Sequence, residues 1–316
     1  MNASPTHSEP LTGIIAATFT PFDDQGELNL DLIPKLTDHL ISNGVSGIYI
    51  CGSTGEGPSL TIAERKAVTE AYLRSAKGRL RTVVHVGHTC LQDAMGLGQH
   101  AEKFGATAIS AIAPYYFKPE DSQTLVAFLK EVAESASSLP FYYYHMPGLT
   151  GLAIDPVEFL ERGENAIPNL RGMKFTDADL SKFSACQAMS DGRFDLVFGR
   201  DEMLFPSLAA GARGAVGSTY NLAPALYRGI VRAFEDGDWE NARQLQRKSV
   251  AMIRAILRFG GEAAIKYPMK RLGLDCGPRR LPMTQLSSDQ ERAIDLALDE
   301  LGFDTWAVNS APATNA

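Results

Sequence analysis

The 316-residue chain is poor in cysteine: Cys51, Cys90, Cys186 and Cys276 lie far apart, with no CxxC pair. That spacing argues against a disulfide framework or a zinc site and predicts reduced thiols in a cytoplasmic protein. Cys51 has no base among its neighbours and is expected to be a small buried thiol. Long apolar runs are missing too. No stretch reaches the about 18 residues that a transmembrane helix needs, so no membrane partner is expected. The opening MNASPTHSEP lacks the basic and apolar regions of a secretory signal and reads as a short disordered lead. Basic charge is outweighed, with 30 Lys and Arg against 37 Asp and Glu and a net charge of −7. Nucleic acid and anionic membrane both require a basic face, which excludes them as partners. No GxGxxG follows the first strand, which argues against a doubly wound dinucleotide-binding sheet.

What is present is a globular balance, 45% hydrophobic and 21% charged, in a chain long enough to bury a large core without staples. Short β-branched runs alternate with amphipathic helical stretches. The strands are expected at Gly13–Thr18, Gly47–Cys51, Thr82–Gly87, Ala108–Ala113, Phe141–His145, Gly172–Phe175, Leu196–Gly199 and Gly214–Ser218. Helical patterns separate them, and Thr61-x-x-Glu64 and Pro156 supply helix-start chemistry. Eight such units predict an α/β fold, a (β/α)₈ TIM barrel over residues 11–236. Strand signal stops at Gly237. Trp239–Phe259, Glu262–Leu272 and Ser288–Leu301 predict a C-terminal helical extension over 237–303, with flexible tails at 1–10 and 304–316.

In such barrels the strand C-terminal ends build the site. Lys174 ends the apolar segment LRGMKF. An ammonium is expensive to bury, so burial favours the neutral amine, the nucleophile that condenses with a ketone; the plainer reading is a lysine that snorkels to solvent or pairs with an acid. Gly52–Gly57 follows the second strand, where glycines and the Ser53 and Thr54 hydroxyls can turn donors toward a small anion. No GK[ST] follows, so a carboxylate suits the loop better than a triphosphate. The plain alternative is a turn in which Ser53 and Glu56 form a capping box, and Glu56 is assigned to that role. Tyr142 and Tyr144 share one face of the fifth strand and Tyr143 the other. Tyr144, nearest the strand end, can shuttle a proton to a hydroxyl. Asp201 and Glu202 either cap a helix or bind polyol hydroxyls, and Ser218 joins the same rim. His85 and His88 point to opposite faces of a strand without a carboxylate, so no metal site is expected.

With these segments in view, the sequence resembles the N-acetylneuraminate lyase / dihydrodipicolinate synthase family of class I aldolases from Gly13 to about Leu301. CGSTGEG resembles the family's pyruvate-carboxylate loop, YYYHMPG its segment with the catalytic tyrosine, and GMKFTD its Schiff-base lysine segment. FGRDE, GAVGSTYN, YYYHMPGLTG and PRRLP resemble the animal-type, sialic-acid-cleaving branch. The resemblance implies reversible cleavage of N-acetylneuraminate to N-acetylmannosamine and pyruvate, without metal or diffusible cofactor, by a homotetramer. It also implies that Gly52, Ser53 and Thr54 hold the carboxylate, Lys174 the ketone carbon, and that Tyr144 is the acid/base. Thr176, Gly199, Asp201, Glu202 and Ser218 would bind the glycerol-like tail and hydroxyls. Tyr116 matches a tyrosine that enters a proton relay across a subunit interface, although animal-type members can lack it. Leu149 stands where dihydrodipicolinate synthases carry an arginine, which counts against that activity. Two alternatives stay open: another pyruvate-dependent aldolase or dehydratase acting on a 2-keto-3-deoxy sugar acid, and a catalytically silent keto-acid-binding protein.

Overall fold

The computed structural model describes residues 9–308. Eight strands close into a barrel: β1 Gly13–Ala17, β2 Gly47–Ile50, β3 Arg81–His85, β4 Ala108–Ile112, β5 Phe141–His145, β6 Leu170–Phe175, β7 Asp195–Phe198 and β8 Gly214–Gly217. Each pairs in parallel with the next, and β8 returns to β1 with Gly13 opposite Gly214. Most expected strands end within one or two residues of these limits, the usual uncertainty of an element's end.

The helices are α1 Ile33–Ser42, α2 Ile62–Ala76, α3 Leu91–Lys103, α4 Ser122–Glu134, the single turn α5 Pro147–Thr150, α6 Pro156–Ala166, α7 Leu180–Ala188, α8 Leu204–Ala209 and α9 Pro224–Glu235. Helix α2 opens on the expected capping box: the Thr61 hydroxyl accepts the Glu64 N–H while the Glu64 carboxylate accepts that of Thr61. Helix α6 has Pro156 at its first position and Asp155 accepting the next two N–H groups.

Alternation along the strands divides the core in two. Inside the barrel, Ile15, Tyr49, Val83, Ile112, Tyr142, Tyr144, Val197 and Val216 pack on one another. Between strands and helices lies the larger core, where Tyr143 meets Phe159 with ring centroids 4.3 Å apart. Tyr142 closes the barrel floor by donating to Asp195 at 2.7 Å, and that carboxylate also accepts the Leu11 N–H.

The extension adds α10 Trp239–Gly260 and α11 Ser288–Glu300. Between them Gly261–Leu272 forms 3₁₀ turns rather than the regular helix expected for Glu262–Leu272. Pro268 lies inside this run; it has no N–H to donate and its ring crowds the preceding turn. The expected tail also begins later than residue 304. Phe303–Thr305 is a further turn, Ala307 is buried and its carbonyl accepts the Ala225 N–H at 3.2 Å. Arg271 holds Asp295, Asp299 and Asp304 together. At the other end, Glu9 and Pro10 accept from the Arg81 guanidinium. The rest of the expected tails, residues 1–8 and 309–316, lies outside the described residues.

After the 3₁₀ run the chain turns back over the barrel mouth. Phe22 donates its N–H to the Cys276 carbonyl at 2.9 Å, and Gly277 follows with φ of 70°. A Cβ on Gly277 would stand 2.1 Å from the Phe22 carbonyl oxygen, so only glycine permits this approach. Among the described residues no helix is long and apolar enough to cross a membrane. All four cysteines are free, with Cys51, Cys186 and Cys276 buried and Cys90 exposed.

Candidate active site

Strand β6 turns Met173 and Phe175 toward the helices and Lys174 into the barrel. The lysine is buried, with Nζ 3.9 Å from the centroid of the Tyr144 ring and 4.3 Å from that of Tyr49. Among the described residues it takes part in no ion pair, unlike the other buried lysine, Lys266, whose Nζ meets Glu56 at 3.1 Å. Ring faces attract a cation electrostatically but form no directed bond that must be broken before the nitrogen reacts.

The rings are themselves held. Tyr49 donates its hydroxyl to Ser110 at 3.0 Å, and the His85 ring stands edge-on to Tyr144 at 5.8 Å. Burial first, then the charges of Arg65 and Lys174, keeps the His85 pKa well below the usual histidine value, so the imidazole is neutral there. Its Nε2 accepts the Ile112 N–H at 3.3 Å. His88 lies elsewhere, 3.8 Å from Asp93, and the described residues hold no group of three or more metal-ligating side chains.

The Tyr144 hydroxyl lies 2.8 Å from the Met146 sulfur and 3.5 Å from the Ser53 hydroxyl. Ser53 belongs to the tight loop after β2. Cys51 and Glu56 both adopt positive φ, and a Cβ on Gly57 would lie 2.1 Å from the Cys51 carbonyl oxygen. The loop is tied across the barrel mouth by Thr54, whose hydroxyl meets that of Ser218, after β8, at 2.6 Å.

Glu56 does not form the expected capping box with Ser53. Its carboxylate is buried and faces away from the loop, pairing with Lys266 at 3.1 Å and Arg279 at 3.3 Å and accepting the Arg280 N–H at 3.0 Å. The extension supplies two cations within reach, and in a buried site a carboxylate is stabilised more by these than by backbone N–H groups alone.

Backbone bonds carry the rim around the barrel: Thr176 N–H donates to the His145 carbonyl and Gly199 N–H to that of Phe175. The Thr176 hydroxyl is buried without a hydrogen-bond partner among the described residues, packed so closely on Gly199 that a Cβ there would lie 1.9 Å away. Lys174, Tyr144, Ser53, Thr54, Thr176, Gly199 and Ser218 together line one cavity of about 280 Å³. An amine at the floor, hydroxyls on one wall and a phenol on another suit capture of a small keto acid.

Four residues expected at the site do not line this cavity. Gly52 turns the loop and its carbonyl accepts the Gly57 N–H. Asp201 is buried behind the rim, where its carboxylate accepts both the N–H and the hydroxyl of Thr219 at 2.7 and 2.6 Å. Burial pushes the Asp201 pKa up to about 6, against the lowering by these bonds. Glu202 is paired with Arg200 at 2.7 Å. Tyr116 is 77% exposed and packs edge-on against Phe117, itself 86% exposed.

Met146, which follows β5 directly and falls in the strand-end stretch Tyr144–Pro147, also lines the cavity, although no role was read for its side chain. Further lining residues were not anticipated. Glu262, Ile265, Arg279 and Met283 come from the extension, where only the segment PRRLP carried a signal and no position within it stood out.

Comparison with known proteins gives a consistent picture. A family model described as the dihydrodipicolinate synthetase family matches residues 10–301. An N-acetylneuraminate lyase of Rattus norvegicus is 40% identical over 298 residues, 93% of each chain. Among solved structures, the Proteus mirabilis N-acetylneuraminate lyase superposes with a TM-score of 0.91 at 38% identity, covering 93% of this chain and 100% of that one. The N-acetylneuraminate lyase (sialic acid aldolase) of Aliivibrio salmonicida does so with 0.91 at 39% identity, covering 94% and 98%.

Proposed function

We propose, from the premise that this chain belongs to the dihydrodipicolinate synthetase family, that it is a class I aldolase cleaving N-acetylneuraminate reversibly to N-acetylmannosamine and pyruvate. The observation that carries the reading is Lys174, a buried lysine without a counter-ion among the described residues, which opens into a cavity with Ser53, Thr54 and Tyr144. The lyases similar to the chain over nearly its whole length support the substrate.

In this mechanism the Lys174 amine adds to C2 of the open-chain keto acid and loses water to form the imine. Ser53 and Thr54, at the turn made by Gly52, hold the carboxylate and set the C3–C4 bond over the imine plane. Tyr144 takes the C4 hydroxyl proton as its own passes to Ser53, 3.5 Å away, while Ser53 releases its proton to solvent, from which a proton later returns to C3. The C3–C4 bond breaks, its electron pair enters the imine system, and N-acetylmannosamine leaves. The enamine is protonated at C3, and water releases pyruvate from Lys174. The cationic imine stabilises the developing carbanion, which is where most of the rate enhancement arises.

Thr176, Gly199 and Ser218 face the sugar end, with the unpartnered Thr176 hydroxyl ready to take a substrate hydroxyl. Asp201 and Glu202 complete that edge, Asp201 through the Thr219 backbone it holds. The exposure of Tyr116 and Phe117 supports a homotetramer in which Tyr116 of a neighbouring subunit extends the relay beyond Ser53. We place the enzyme in the cytoplasm, in keeping with its four free cysteines. Leu149 on the cavity wall supplies no charge for a second carboxylate, which favours the sugar over a dicarboxylate-forming synthesis.

Borohydride reduction in the presence of pyruvate tests the reading: the adduct mass should fall on Lys174 alone, and sialic acid should be cleaved with release of pyruvate. An adduct on another lysine overturns the role of Lys174, and no adduct together with no cleavage leaves a silent binding protein. Faster turnover of 2-keto-3-deoxygluconate than of sialic acid overturns the choice of substrate.

A further inference from the structure

The segment that turns back over the barrel mouth lays two adjacent arginines against the β2 loop, and they point different ways. Arg280 reaches outward, gripping the Glu64 carboxylate in the first turn of α2 at 2.6 and 2.9 Å and the Gly26 carbonyl. Arg279 reaches inward. It is 7% exposed, lines the cavity that holds Lys174, and donates from Nη1 to the Thr54 carbonyl at 3.2 Å. The same nitrogen meets Glu56 at 3.3 Å, and Nε is buried with no partner among the described residues.

We propose that Arg279 is a positioning residue for the keto-acid end of the cavity. By holding the Thr54 carbonyl it fixes the loop whose hydroxyls receive the substrate carboxylate, and so makes the C-terminal extension part of that subsite. The proposal rests on the aldolase reading above. A glycine-rich loop with two residues at positive φ is costly to order, while binding through hydroxyls and N–H groups tolerates little misplacement. A buried charge-assisted bond supplies the missing constraint. Charge is balanced around Arg279: Glu56 pairs with Lys266 and Arg279, and Glu262, on the same cavity, also acts on the Arg279 guanidinium, so Arg279 serves the loop through its directed bond to Thr54.

The test uses the full-length protein and measures borohydride trapping of pyruvate on Lys174 against pyruvate concentration. Arg279→Met should raise the half-saturating concentration about tenfold or more, while labelling at saturation reaches the wild-type level. Arg279→Lys, which keeps the charge and a donor, should fall between. For sialic acid cleavage the same order should appear in KM more than in kcat. A lower melting temperature with half-saturation unchanged within twofold would show that Arg279 only packs the extension, and overturns the proposal. If Arg279→Met does not fold, Arg279→Lys and Arg279→Gln carry the same comparison. A wild type that takes no label on Lys174 defeats the aldolase reading itself, whereas a labelled wild type with an unmoved Arg279→Met defeats only the role of Arg279.

Discussion

Replacing Glu56 with glutamine gives a sharp test of how the extension is fastened to the barrel. The amide keeps the shape of the carboxylate but leaves Lys266 and Arg279, both buried, without their anion. Removing one partner of a buried ion pair costs about 3–5 kcal/mol, because the remaining charge stays desolvated. For a chain of this size that is a fall in melting temperature of roughly 6–10 °C. The deficit should also depend on pH. Burial lowers the Lys266 pKa to about 8, with Glu56 the main group pulling it back up. A lysine whose folded pKa lies below its unfolded value destabilises the fold while charged, and that penalty fades as pH rises from about 8 toward the free-lysine value. Without Glu56 the penalty at neutral pH deepens, but a neutral amine escapes it. The gap between wild type and Glu56→Gln should therefore be widest at pH 6.5 and narrower at pH 9.5, with the share due to Arg279 remaining. Thermal unfolding of both proteins at the two pH values checks this. A loss under about 1 kcal/mol at pH 6.5, or a gap that does not change with pH, would refute the argument.

Two further outcomes follow from the cavity. Tyr144→Phe keeps the ring beside Lys174 but removes the phenol, so sialic acid cleavage should fall about 10²–10⁴-fold while pyruvate trapping on Lys174 persists; equal loss of both would deny Tyr144 its proton-transfer role. Asp201, with a folded pKa raised to about 6, stabilises the fold most when protonated. Wild-type stability should therefore drop by about 2 kcal/mol between pH 4 and 7 relative to Asp201→Asn, whose amide carries no such charge; parallel urea-unfolding stabilities for the two proteins across that range would contradict the assignment.

The barrel was legible because each strand is a short apolar run and each crossover a helical one, and eight repeats leave few ways to close. That Lys174, Tyr144, Ser53 and Thr54 meet at one cavity was legible because strand ends in such a barrel converge and because these residues lie in compact motifs. The part that was not legible is long-range. Arg279 lies 225 residues from Thr54 in sequence, yet donates to its carbonyl, and no local periodicity links the two. Glu56 was misread for the same reason: a Ser-x-x-Glu spacing suggests a local cap, and only the folded extension reveals its partners. The 3₁₀ run at Gly261–Leu272 yielded to Pro268, a signal that was present but outweighed by the helical pattern around it.

The two buried lysines show why residue type and burial together still do not define a role. Lys266 has a carboxylate at 3.1 Å and the Pro278 carbonyl at 3.1 Å, so its donors are spent on fixed oxygens. Moving its nitrogen would strand Glu56, and the side chain is thereby a structural tie between the extension and the β2 loop. Lys174 is nearly as buried, but its surroundings are the faces of Tyr49 and Tyr144. These accommodate a cationic imine as well as an amine, since the attraction of a ring face is spread over the ring rather than aimed along one bond. The nitrogen can therefore advance on a keto carbon and retreat after hydrolysis without breaking a hydrogen bond to a fixed partner. On the aldolase reading, Ser53 and Thr54, which line the same cavity, would hold the carboxylate end of the keto acid. On the aldolase reading, then, the chemistry falls to the lysine that has no ion pair among the described residues, and the ion pair lies where the extension must be held rigid.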